Sequence, residues 1–233
     1  MNCYSEKTVD FLWSLRLNNN RDWFRAHKDE YEAWMLAPTK ELANRLYEHL
    51  RDRYPTHDWK LHISRIYRDA RRLHGRGPMQ DHLWFSLWAD REENDAPAFW
   101  FSFTPEGWDG GMGVWSSGSN VVMERFRAAV SINPAPAEAL VRRLQTQQQF
   151  VLGGESYQRH RIRTTPLLQP WVDKKWLALE CRRSHDACSL SDRLFPFLRD
   201  GLDWLMPFYE YFLKLPALEE RSAPEQTVRS ENE

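Results

Sequence analysis

Apolar positions Phe11, Leu12 and Leu15 recur one helical turn apart, which predicts a first helix with a single apolar stripe. It stops at Asn18-Asn19-Asn20, a residue type that favours caps and turns over helix interiors. With Asn19 as the cap of the next helix, Asp22 falls at its third position, where a negative charge suits the helix dipole. In that second helix Trp23, His27, Tyr31 and Trp34 share one face. Pro38 either ends it or opens the next helix, which carries Leu42, Leu46 and Leu50 and closes at Pro55.

Beyond Pro55 the period shortens. WKLHISRIYRD, HLWFSLWAD, PAFWFSFTPE and GMGVWSS are short, aromatic segments separated by turn residues and by the acidic run DREEND. Four such segments predict strands of an antiparallel meander. Alternation puts Phe99, Phe101 and Phe103 on one face and Trp100 and Ser102 on the other. LWFSLW is apolar at both phases, which predicts a central strand covered on both sides. Helices return after Ser119, with Val122, Phe126 and Val130 one turn apart, and again after Pro136. WLALEC (176–181) predicts a further strand. The apolar stretch up to Leu215 predicts a C-terminal helix or helix pair, with Pro196 in its first turn. Residues 216–233 are polar and proline-containing, the composition of a disordered tail. The expectation is one α+β domain over residues 1–215: N-terminal helices on an antiparallel, aromatic-rich sheet, with further helices in the C-terminal half.

Composition narrows the function classes. The 233 residues have a formal net charge of −1, so no whole-protein grip on nucleic acid is indicated. Charge is nonetheless segregated. Arg45 to Arg76 holds nine basic and four acidic residues, whereas Asp90 to Asp109 holds one basic and six acidic. The blocks either pair with each other or leave an anion-binding patch. Twelve tryptophans are far more than average usage gives, so many should be core residues or pocket walls, and core duty is the simpler account. Three cysteines without tight spacing argue against a disulfide framework, and no leader or apolar span is apparent. The default is a soluble cytoplasmic protein with no membrane association. No metal motif, Walker loop or nucleophile elbow appears.

The candidate chemistry lies in ISRIYRDARR, residues 63–72. As a strand, it would carry Arg65, Tyr67, Asp69 and Arg71 on one face and Ile66 and Arg68 on the other. The planar guanidinium fork binds phosphate or carboxylate with two hydrogen bonds, and Asp69 would hold its neighbours in place. One reading is an anion clamp. The other is a salt-bridged structural strand under the N-terminal helices. Gly110 and Gly111, in a glycine-rich stretch ahead of a helix, either bring backbone amides to a ligand or form a hairpin turn with a bulge. His27 and Lys28 could face the same pocket, although a histidine on an aromatic face is more commonly a core residue.

The chain resembles a bacterial and fungal family catalogued as domain of unknown function 2461. The resemblance rests on Asn19, Asn20, Trp23, Phe24, Lys28 and Tyr31, then on Arg65, Arg68, Asp69 and Arg71, then on the glycines from Gly107 to Gly113. It departs from the family pattern at 73–82, LHGRGPMQDH, where relatives carry a lysine-rich stretch and Arg76 is the nearest substitute. The resemblance implies no established reaction. The sequence therefore points to a binding domain for an anionic small molecule or a nucleic-acid backbone. The alternative is an enzyme acting on a phosphorylated or acidic substrate, with Asp69 or His27 as acid/base.

Overall fold

The computed structural model describes residues 3–69, 71, 77–91, 96–115 and 120–215. It is an α+β structure: N-terminal helices, a six-stranded antiparallel sheet, and further helices in the C-terminal half. Helix α1 (Glu6–Leu17) opens with the Thr8 hydroxyl accepting from the Ser5 N–H at 3.1 Å. It buries Thr8, Phe11, Leu12 and Leu15. Asn20, rather than Asn19, caps α2 (Arg21–Ala26), its side chain accepting from Trp23 N–H at 2.9 Å. The third helical position is therefore Trp23, and Asp22 moves to the second. The expected long second helix is divided into α2, α3 (Lys28–Tyr31) and a π-helical turn (Glu32–Leu36) that runs into α4 (Ala37–Arg53). Pro38 sits in the first turn of α4, and the Trp34 carbonyl one turn before it accepts instead from the Thr8 hydroxyl at 2.7 Å.

The strands are β1 (Trp59–Ile63), β2 (Leu83–Ala89), β3 (Ala98–Phe103), β4 (Gly107–Val114), β5 (Val151–Gly153) and β6 (Leu177–Ser184). Their order is β1-β2-β3-β4-β6-β5. The first four form the expected meander. The short β5 was not anticipated, because three residues leave no alternation to read. One face carries Phe85 and Leu87 from β2, Phe99, Phe101 and Phe103 from β3, and Trp108 and Met112 from β4, all at most 2% exposed. The C-terminal helix α8 (Leu194–Leu213) is a single helix, with Pro196 in its first turn and Pro207 inside it. Leu46 of α4 and Leu202 and Leu205 of α8 meet the phenylalanine face, and Tyr4 stacks on Phe103 at 4.0 Å. Helices α5 (Val121–Ile132) and α7 (Gln169–Val172) complete this layer against α8, through Phe126–Phe212 and Trp171–Phe208 ring contacts. Helix α6 (Ala135–Leu144) buries Ala137, Val141 and Leu144.

The opposite face is different. Trp84, Trp88 and Trp100 are only half-buried, so β2 is not covered on both sides as its sequence suggested. Small residues form the floor between the rings: Ser86, Gly111, Gly113 and Ala178 are all buried. The polar tail expected over 216–233 lies outside the described residues. Among the described residues no helix is long and apolar enough to cross a membrane.

Candidate functional site

The arginine segment is not a strand. Regular pairing ends at Ile63, and beyond it the chain makes one isolated bridge, Tyr67 to Met79. That bridge is a junction. The Asn19 side chain donates to Met79 O at 2.8 Å and accepts from Met79 N–H at 2.9 Å. Arg68 Nε donates to the same carbonyl at 2.9 Å. Gly77 permits the clasp, since a methyl group there would stand 2.2 Å from Asn19 Cγ. Asn19 acts as a two-pronged mimic of a neighbouring strand, which satisfies a backbone unit that pairing leaves open. Asn19→Ala is expected to lower unfolding stability by about 1.5 kcal/mol, measured as a fall in the urea midpoint at unchanged slope.

Around this junction the arginines meet acids. Arg68, its side chain 17% exposed, approaches Asp81 at 3.8 Å. Arg16 of α1 pairs with Asp81 at 2.5 Å and also grips Glu106. Hydrogen bonds from His82 and Arg16 hold the Asp81 carboxyl well below the usual carboxylate range, against the opposing effect of burial. Arg71 is exposed and folds back on Asp69 at 2.9 Å. Arg65 is exposed, and its carbonyl accepts from the Gln80 amide at 2.8 Å. Tyr67 is 56% exposed and leans edge-on against Phe24. Lys28 pairs with Glu32 at 3.3 Å. His27 stacks on Trp23 at 4.0 Å and donates from Nδ1 to Trp23 O at 2.8 Å. The candidates of the two segments thus lie on one side of the molecule without converging on a cavity among the described residues. Arg72, His74 and Arg76 lie outside the described residues.

The described carboxylates of the acidic block have partners other than the segment's arginines. Asp90 accepts from His57, Glu106 from Arg16, and Asp109 from Trp100 Nε1 at 2.9 Å. Gly110 and Gly111 are neither a ligand loop nor a hairpin turn. They sit mid-strand in β4, opposite Phe101 and Trp100 on one side and Cys181 and Glu180 on the other. The helix that follows does begin as expected, at Val121, with Asn120 as its cap.

A neighbouring glycine of β4, Gly113, bears on a different feature. On the second sheet face, Trp84, Trp100, Trp115 and Trp176 wall a cavity of about 530 Å³ whose remaining lining is Ser102, Asp109, Ala178 and Glu180. The Trp115 ring lies directly over Gly113, where a methyl group would stand 2.3 Å from Cζ3. Trp100 and Trp115 meet edge to face, 5.4 Å apart at 86°. Trp115 and Trp176 are more than one-third exposed. An open aromatic cavity of this volume, with a few polar groups fixed in its wall, is the form small-molecule sites take.

A family model described as a conserved hypothetical protein (DUF2461) matches residues 7–211. The chain belongs to this family. No curated protein matches it. Two segments that carried the family resemblance in the sequence now have a physical account. The Asn19-Asn20 pair and the Arg68-Asp69 segment meet at Met79, one through a clasp and the other through a guanidinium. The last glycine of the family's glycine-rich strand, Gly113, lies under the Trp115 ring of the cavity wall. The sequence reading missed the wall itself. Trp84 and Trp100 lay in segments read as strands, with Trp100 opposite the phenylalanine phase. Trp115 and Trp176 lie just past the ends of β4 and before β6, where only the β4–β6 pairing brings them together.

Proposed function

We propose that the protein is a binding module for a small organic molecule held on the tryptophan-walled sheet face. The observation that carries this reading is the 530 Å³ cavity with four indole walls and two carboxyl groups. Indoles offer flat apolar area at little entropic cost, and Asp109 is fixed in place by Trp100. Three free cysteines, Cys3, Cys181 and Cys188, fit a reducing compartment such as the cytoplasm.

A second reading, anion binding by the arginine segment, is favoured by one observation: the exposed Arg65 side chain has no ion pair among the described residues. It would require Arg68 and Arg71 to give up Asp81 and Asp69. A single experiment weighs both. Ligand-observed NMR of fragments from the aromatic, sugar, ammonium and phosphate classes is run on the parent, Ser102→Phe and Arg65→Ala. Ser102→Phe fills the cavity from an outward position of β3. Fragments whose signal is lost in Ser102→Phe and kept in Arg65→Ala are the expected result. Hits that all survive Ser102→Phe overturn the cavity reading, and phosphate hits lost only in Arg65→Ala establish the anion reading instead.

A further inference from the structure

The cavity has a charge as well as a shape. Among the described residues its lining includes two carboxyl groups, Asp109 and Glu180, and no lysine, arginine or histidine. Asp109 Oδ1 is occupied by the Trp100 indole N–H, which fixes the carboxyl in the wall beside the Trp100 ring. Glu180 stands over Gly153, where a methyl group would lie 2.8 Å from its Oε1. Arg182, across the β4–β6 ladder from Asp109, approaches Glu180 only at 4.0 Å, and its own side chain is 73% exposed, so its charge is largely screened by water.

Indole faces attract cations more strongly than other aromatic side chains do, and several such faces around one volume are the general solution for a quaternary ammonium. The perpendicular Trp100 and Trp115 rings supply a wall and a lid edge at 5.4 Å. Trp84 and Trp176 line the remaining sides. A neutral ring stacked in the same place would gain nothing from two carboxyl groups, whereas a cation gains from both. A phosphate or carboxylate would be repelled by them.

We infer that this site takes an organic cation of the alkylammonium class, its charged head among the indoles and facing Asp109 and Glu180. This rests on the cavity being the binding site, as proposed above. The test is calorimetric titration with choline and with its neutral carbon isostere 3,3-dimethyl-1-butanol, which has the same shape and lacks the charge. Choline is expected to bind at least about ten-fold more tightly than the isostere. The double variant Asp109→Asn/Glu180→Gln is expected to reduce that preference to the part the indole faces supply; an amide oxygen at 109 still accepts from Trp100. The comparison of the two ligands on the parent protein needs no variant, so misfolding of the double variant does not blunt it. Equal affinities for choline and the isostere overturn the ammonium assignment and leave the cavity as a binding site. So does failure of choline to bind where neutral fragments are displaced by Ser102→Phe. Absence of any ligand sensitive to Ser102→Phe overturns the cavity reading itself.

Discussion

Replacing Gly111 by alanine is expected to cost about 4 kcal/mol and to lower the melting temperature by roughly 8–16 °C. The added methyl group would lie 2.0 Å from the carbonyl oxygen of Leu179. That atom belongs to the backbone of β6, paired with β4 along its whole length from Gly107↔Ser184 to Val114↔Leu177. A flexible side chain could swing away, but a strand in a sheet interior cannot move without lengthening the ladder bonds on either side. The effect is therefore larger than the 1–3 kcal/mol usual for overpacking among side chains. Gly110, one position along, also faces strand backbone but at a longer distance. Its methyl would meet Trp100 O at 3.0 Å, a tight contact that a small shift relieves. Thermal unfolding of the two alanine variants side by side checks the argument. A Gly111→Ala protein as stable as Gly110→Ala would show that the β4–β6 spacing is not set by this residue.

The second large effect is acid-dependent. Asp81 is the hub at which Arg16, Arg68 and His82 meet. Its folded-state pKa is depressed, mainly by the His82 and Arg16 hydrogen bonds. A depressed carboxyl pKa contributes stability that is present above the unfolded value, near 4, and is lost as pH falls through the folded value. Asp81→Asn is expected to destabilise by about 2 kcal/mol at neutral pH. That figure is below the 3–5 kcal/mol of a fully buried pair, because Arg16 is one-third exposed. As the pH is lowered below about 5 the parent should lose this advantage, and the two stability curves should converge. Urea unfolding at a series of pH values measures it. A constant gap across the acid range would mean that packing, rather than charge, is what the substitution removed.

The phenylalanine phase of β3, the stripe of α1 and the meander were legible because each is a local period imposed by one buried face. The arginine segment misled for a related reason. Ile63 and Ile66 sustain an apparent strand, but residues 64–69 obtain their backbone partners from Pro78, Gln80 and Trp84, which lie beyond a break in the pairing. Nothing local distinguishes an arginine that grips a carbonyl from one that waits for a ligand. The glycines of β4 were read as loop-forming, since glycine is ordinarily a turn signal. Here they answer to the close approach of β6, a neighbour that the sequence places beyond three helices. The Arg16–Asp81–Glu106 contact was invisible for the same reason, although its acidic partner sat in a block that charge counting had singled out.

The two ends of the sheet bear on how the protein tolerates so much bare indole. At one border β1 carries a half-buried Lys60 and an exposed His62; at the other, β5 is three residues long. A charged border and a stub both make poor templates for a further strand. Neighbouring copies that touch through their aromatic faces therefore gain no main-chain ladder to lengthen, and contact between them stops short of the edge-to-edge growth that leads to fibrils.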